Sequence, residues 1–482
     1  MKWQLLMAFV GYLLFMIWFG WWVSRNNRSG DDFLLGGRRL PFILTLGTTV
    51  ATMVGTGSSM GAVGFAYQNG WAGMIYGLGG ACGILLLAKL FAPVRDQQFM
   101  TMSEEVAFYV GAEAIVKNTI AVVIFVASIG WLGAHILGGG MYLAWLTGID
   151  PLSAKLLIAL GFSVYVVIGG YVAVVWTDSI QALVLFVGFF LMAAVALYQA
   201  DGLSAIASAQ PVANQSFLAL DKIGPVHGLS LFMAVLVGVL VAPSFRQRIY
   251  SGEHVNSIKR SFYLSGGLYL AFAVVPAVIG MAAYKLDPSL DNPAFSFPFM
   301  AFHSLPLALA GLVIIAGLSA TISSASSDAI AAVSVVVRDI YRLCFKRMPK
   351  ASEVVLISRL GLVATIALAL LLALLTNDVI GYITNMVATL MSGLCVCVLL
   401  GHFWPRFNWQ GAMAALGTSS LTSITILLIP SWQAFWGNPI VPALLIATLV
   451  AGVVTLLTPP QRHNAVAAQA ILAAEREQMN HD

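Results

Sequence analysis

The sequence predicts an all-α polytopic membrane protein of thirteen transmembrane helices with a five-plus-five inverted-repeat core. Composition, segmentation and the placement of basic residues predict it. Of the 482 residues, 60% are hydrophobic and 9% are charged, and the mean hydropathy is +0.90, a balance foreign to soluble domains. Apolar runs of about 20 residues recur, each long enough at about 1.5 Å per residue to cross a hydrocarbon core of about 30 Å. Runs of that length imply helices rather than a barrel.

The spans fall near residues 3 to 23, 41 to 66, 71 to 92, 115 to 146, 152 to 175, 178 to 199, 228 to 249, 261 to 284, 300 to 337, 354 to 376, 379 to 403, 410 to 430 and 439 to 458. The first is too long for a signal-peptide core, and no small-residue cleavage site follows it, so it is expected to stay as a membrane helix. An odd count puts the termini on opposite sides and alternate loops on the same side, so the bias of Lys and Arg toward the cytoplasm tests it. With the N-terminus outside, all of the 24 basic residues except Lys2, Lys155, Lys222 and Lys285 fall inside, Arg28, Arg246, Arg248 and Arg462 among them. A missed or invented span in the middle would scramble that split. The C-terminus is then cytoplasmic, and the chain is a multi-pass protein of the cytoplasmic (inner) membrane.

The organisation follows. Residues 1 to 40 are the first helix and a cytoplasmic loop, 41 to 200 the first set of five helices, and 201 to 227 a loop on the outer side. Residues 228 to 408 are the second set, 409 to 460 two peripheral helices, and 461 to 482 an Ala-rich cytoplasmic tail, expected to be a solvated helix or disordered. Five is odd, so the two sets have opposite orientations.

The net charge of +4 belongs to the cytoplasmic loops, and no basic-aromatic array suggests nucleic acid. Membrane lipid is the expected surroundings; residues 342 to 350 read as an orientation signal before an anionic-lipid contact, and no obligatory protein partner is evident. Cys82, Cys344, Cys395 and Cys397 make no disulfide framework or metal site. His135, His303 and His402 are scattered without ligand spacing, which argues against a membrane-embedded enzyme.

Both sets open on a weak helix. "TTVATMVGTGSSMGAVG", from Thr48 to Gly64, is poor in helix formers, and "VGVLVAPSFRQR", from Val237 to Arg248, carries Gly238 and Pro243. A helix broken at mid-membrane frees backbone carbonyls for ions or substrate; the plainer alternative is that small residues permit close packing.

"GLSATISSASSDAI", residues 317 to 330, is the polar anomaly in an apolar chain. On a helix Ala320, Ser323, Ser324, Ser327 and Asp328 share one face, with Ser326 at its margin. Hydroxyls at that spacing, with carbonyls from a broken neighbour, suit a small hard cation such as sodium. Against this, a serine hydroxyl also bonds back to the carbonyl four residues earlier. Asp328 strengthens the functional reading, because a carboxylate in a bilayer costs several kcal/mol and needs a partner or cavity. Asp178, in "GGYVAVVWTDSIQ", lies at the predicted start of a span, where a helix N-terminus stabilises negative charge.

"DDFLLGGRRLP" at 31 to 41, "GGYVAVVWTDSIQ" at 169 to 181, "RQR" at 246 to 248 and "SATISSASSDAIAAVSVVVRDIY" at 319 to 341 resemble, in order, the signatures of the sodium:solute symporter family. The resemblance covers nearly all of residues 1 to 460. It implies a LeuT-like fold and sodium-coupled import of a small organic solute by alternating access, with Na+ as the coupling ion. It also implies a main sodium site from the Val50, Met53 and Ala320 carbonyls and the Ser323 and Ser324 hydroxyls, and a second from Asp178, Ser323, Ser326 and Ser327.

The chain departs from the family pattern at Asp328, which modifies the second site, carries a proton or bonds Ser324. Thr52 stands where proline carriers have an aspartate, and the third core helix lacks the arginine of sialic acid carriers. Local similarity is to choline-type and to pantothenate- and proline-type carriers, the choline-type likeness lying at 90 to 111 and 129 to 138. Candidate solute residues are Thr52, Thr56, Ser58, Ser59, Gln68, Trp131, His135 and Asn385, with Trp131 able to face an organic cation. The rivals are a proton-coupled carrier of the same fold and a transporter-like solute sensor.

Overall fold

The computed structural model describes residues 2–26, 29–375, 379–460 and 465–477. Among them all regular structure is helical, apart from an isolated bridge between Leu40 and Gly252. In chain order the α-helices are α1 (Lys2–Ser24), α2 (Gly30–Leu35), α3 (Phe42–Met53), α4 (Ala62–Asn69), α5 (Met74–Leu86), α6 (Met102–Tyr109), α7 (Ala114–Thr147) and α8 (Pro151–Gln199). There follow α9 (Leu203–Ala209), α10 (Leu220–Ile223), α11 (Pro225–Leu240), α12 (Pro243–Ser251), α13 (Val255–Phe272), α14 (Val274–Leu286), α15 (Ser296–Ser304) and α16 (Leu307–Val335). The chain closes with α17 (Tyr341–Phe345), α18 (Val354–Ala373), α19 (Val379–Met386), α20 (Ser392–Phe403), α21 (Trp409–Leu428), α22 (Pro430–Trp436), α23 (Ile440–Leu457) and α24 (Ala465–Glu477).

Eleven stretches among the described residues are long and apolar enough to cross a membrane. Two of them, Gly57–Gln97 and Pro151–Gln199, are interrupted at glycines of positive φ, Gly70 at 58° and Gly170 at 60°. At Gly170 only glycine fits: the kink needs the left-handed φ, and a Cβ would lie 2.6 Å from the Phe33 carbonyl oxygen of α2.

Both weak helices break. α3 makes its last turn with Val54 N–H donating to the Val50 carbonyl at 3.1 Å, then Val54 leaves the helical region at ψ 62°. The chain resumes as a π-helical turn, Gly57–Gly61, that runs into α4. α11 ends at Leu240 with Val241 as its cap, Ala242 is extended, and Pro243 starts α12 at a position where its missing N–H costs nothing. Leu40 N–H to Ser251 O at 3.1 Å and Glu253 N–H to Leu40 O at 3.0 Å tie the start of α3 to the end of α12. α16, buried along nearly all of its length, packs against α8, α7, α18 and α3 and so sets the serine stripe beside the first break.

Three expectations are corrected on the face that carries the basic loops. Arg246 and Arg248 are not loop residues; both are fully buried in α12. Arg246 donates to Glu105 Oε1 at 2.9 Å and lies 3.8 Å over the Phe91 ring. Asp178 is not at a helix start, because α8 continues through it beyond the Gly170 kink. The tail is not a solvated helix: α24 docks with Ala468 and Leu472 buried and Glu475 against Lys117 Nζ at 2.5 Å, Arg338 at 3.4 Å and Arg342. Arg28 and Arg462 lie outside the described residues.

Candidate cation and solute site

At the first break the backbone changes course after Met53, and the helix's last carbonyls lose their N–H partners. Serines from α16 meet them. Ser323 Oγ donates to Ala51 O at 3.1 Å and lies 3.2 Å from Ala320 O; Ser324 Oγ is 3.2 Å from both Thr52 O and Ala320 O. Of the carbonyls implied by the resemblance, Ala320 is in this cluster, Val50 accepts from Val54 N–H, and Met53 accepts from Ser58 Oγ at 2.7 Å. The cluster is therefore one of neutral oxygens, buried and without a formal charge in contact.

The set around Asp178 is built differently. Asp178 Oδ2 accepts from Thr48 Oγ1 at 2.6 Å and Ser327 Oγ at 2.9 Å, joining α3, α8 and α16. Into the same space α12 sends Arg248, whose Nη2 lies 2.8 Å from Ser327 Oγ, 2.7 Å from Thr48 Oγ1, 2.5 Å from Thr52 Oγ1 and 3.5 Å from Asp178 Oδ2. Ser326 turns back to the Ser323 carbonyl at 2.9 Å, the local alternative for a helical serine. Arg248 thus places a guanidinium among the oxygens expected to hold a second sodium.

Asp328 does not bond Ser324. Its Oδ2 meets His135 Nε2 of α7 at 3.1 Å, while His135 Nδ1 contacts Thr56 Oγ1 at 2.8 Å. Two cavities adjoin this chain of contacts. The inner one, about 60 Å³, lies between the two breaks and is lined by Thr52, Ser58, Trp131, His135, Ser324 and Asp328 together with Tyr76, Phe245 and Tyr269. The outer one, about 280 Å³, is lined by Thr56, Gln68, Tyr142 and the Asn292–Phe295 turn, among others. The hydrogen-bonded Thr56 and His135 join the two linings.

Most of the candidate solute residues therefore converge. Ser59 instead bonds back to Gly55 O at 2.6 Å, and the Asn385 side-chain oxygen accepts from Asn438 Nδ2 at 3.2 Å, so neither lines these cavities. Sequence reasoning missed Arg248, Thr48, Tyr76, Phe245 and Tyr269. A signal existed for Arg248: it follows Pro243 by only five residues, too few to carry it out of an apolar span.

Comparison with known proteins places the fold and the family. The family described as "Sodium:solute symporter family" matches residues 33–418. The osmoregulated proline transporter OpuE of Bacillus subtilis (strain 168) is 24% identical over 466 residues, covering 93% of each chain. The sodium/glucose cotransporter of Vibrio parahaemolyticus is 24% identical over 494 residues, covering 92% of this chain and 89% of the relative. Among solved structures, the substrate-bound outward-open state of a Na+-coupled sialic acid symporter superposes with a TM-score of 0.83 at 22% identity, covering 95% of this chain and 98% of that one. A family match spanning most of the chain, over a helix break faced by a serine pair, leaves one assignment: the chain belongs to the sodium:solute symporter family, whose members are transporters and whose coupling ion is sodium.

Proposed function

We propose that this protein imports a small organic solute by sodium-coupled alternating access, with sodium bound at the break between α3 and α4. The observation that carries the reading is the Ser323 and Ser324 pair, which spans from the Ala320 carbonyl to the carbonyls freed at the break. The hydroxyls now point protons at those carbonyls; rotated, they offer lone pairs, and Val50, Met53 and Ala320 supply the further oxygens implied by the family. A cation there links α16 to α3, so it stabilises whichever conformation keeps the two helices together. Sodium thereby raises solute affinity in that state, and solute raises sodium affinity by the same factor.

Supporting the wider architecture, the segments on either side of Gly70 and Gly170, counted separately, raise the eleven apolar stretches to thirteen. Ten of these, from α3 to α20, divide into two sets of five, each opening on a broken helix. The bias of basic loops orients the N-terminus outward and the C-terminus toward the cytoplasm of a cell inner membrane. A second sodium at Asp178, Ser323, Ser326 and Ser327 requires Arg248 to withdraw first.

The test is sodium-dependent thermal stabilisation of the purified protein and sodium-driven uptake. Ser323→Ala and Ser324→Ala are expected to weaken both; an undiminished sodium response in both variants refutes the site. A second reading, favoured by the contact between Asp328 and His135, couples solute to protons. Uptake that survives sodium removal and collapses with a protonophore would replace the first reading by the second.

A further inference from the structure

The inner cavity has a distinctive charge inventory. Among the described residues that line it, Asp328 is the sole carboxylate, His135 the sole basic group, and there is no lysine or arginine. Its walls include four aromatic rings, Tyr76, Trp131, Phe245 and Tyr269, contributed by four different helices. Trp131 stacks on His135 with ring centroids 6.5 Å apart, and its indole N–H is buried with no hydrogen-bond partner among the described residues. Arg248 is outside the lining: it donates to Thr52, lies 5.7 Å from the Phe245 ring centroid, and has Thr48, Ser327 and Asp178 as its other side-chain partners, which leaves Tyr76, Trp131 and Tyr269 as rings it does not face.

One carboxylate enclosed by aromatic faces recognises positive charge: the ring quadrupoles and the carboxylate attract a cation together, and an anion is repelled by both. A neutral solute that displaced His135 would leave Asp328 buried and unpaired, an arrangement costing more than the contacts it gains. His135 is held at its other nitrogen by Thr56, at the border of the outer cavity, so it can part from Asp328 and keep a partner.

We propose that the solute is a small organic cation, an ammonium group whose charge pairs with Asp328 in place of His135 and whose alkyl groups lie against the aromatic walls. Asp328 is then the residue that determines specificity, and His135 holds its place when no solute is bound. The proposal rests on the sodium-symport reading, with Ser324 lining the cavity on one side and belonging to the sodium oxygens on the other.

The test is a thermal-shift titration of the full-length protein, with and without sodium, against tetramethylammonium and a matched trio of ethanolamine, ethylene glycol and glycolate. The two cations are expected to stabilise the protein more in sodium than without it, and the neutral and anionic compounds to have no effect. Asp328→Asn is expected to weaken the cation response by about tenfold or more, the loss of a charge-assisted contact, while the response to sodium alone persists and certifies folding. His135→Gln is expected to retain or tighten cation binding, since the competitor for Asp328 is weakened. Stabilisation by glycol or glycolate but not by the cations, no response to either cation, or a cation response unchanged by Asp328→Asn overturns the proposal and leaves the sodium reading standing. If sodium alone fails to stabilise the wild-type protein, it is the sodium reading that falls.

Discussion

The two ends of the serine stripe, one turn apart on α16, face different electrostatics. Ser323 and Ser324 look onto carbonyl oxygens, uncharged and freed by the break in α3. Ser327 looks onto a full carboxylate, Asp178, and onto Arg248, a cation the chain itself supplies. A row of hydroxyls is therefore not one cation site repeated. The neutral end gains most from a mobile sodium, whereas at the charged end sodium must compete with a guanidinium tethered to α12.

The largest effect is expected at the charged end. Asp178→Asn leaves Arg248 buried and without its counter-charge, a change that costs about 3–5 kcal/mol in comparable buried pairs. It is expected to lower the midpoint of thermal unfolding in detergent and the yield of folded protein. The double variant with Arg248→Gln is expected to recover much of the loss; a single variant as stable as wild type would show that the pair is energetically idle.

Next come Ser323→Ala and Ser324→Ala. Each removes one oxygen from the neutral set and is expected to raise the sodium concentration for half-maximal uptake about tenfold, equivalent to ~1.4 kcal/mol, with folding largely kept. If Ser327→Ala matched them, the distinction between the two ends would dissolve.

A subtler effect sharpens the comparison. With Arg248 in place, one sodium per cycle is expected, giving a Hill slope of about one for sodium activation. Arg248→Gln opens the Asp178 set to a free cation and is expected to steepen the slope. Slopes near one in both proteins would exclude sodium from the second set.

How much of this was legible in the sequence depended on distance along the chain. The stripe from Ala320 to Asp328 and the weakness around Gly55 are local, fixed by helical period and propensity, and both stand in the structure. Asp328 and His135 were each singled out, but 193 residues separate them, and nothing in one sequence says that α7 and α16 bring them together. Arg248 reads as a loop residue in the sequence, because its charge outweighs its position five residues after Pro243. The tail reads locally as an Ala-rich helix former and nothing more, because the docking that holds so short a helix is decided by residues as distant as Lys117 and Arg338.

That tail yields the smallest expected effect and extends the comparison to the face that carries the basic loops, where charge pairs act at a partly wet surface. Burial pushes the Glu475 carboxyl up, but Lys117 and Arg342 outweigh it and hold it below the ordinary carboxylate value. A carboxyl depressed in the docked helix stabilises docking above its undocked pKa, about 4.3, and the contribution is lost as pH falls through the docked value. Docking is thus expected to be constant across neutral pH and to loosen only in acid, the opposite of a histidine switch. Glu475→Gln removes the charge at all pH values; because the site is partly solvated, about 1 kcal/mol or less is expected. Hydrogen exchange of residues 465–477 measures both: protection should fall modestly in the variant at neutral pH and converge with wild type in acid. Protection that instead changes between about pH 6 and 8 would assign the latch to a histidine rather than to Glu475.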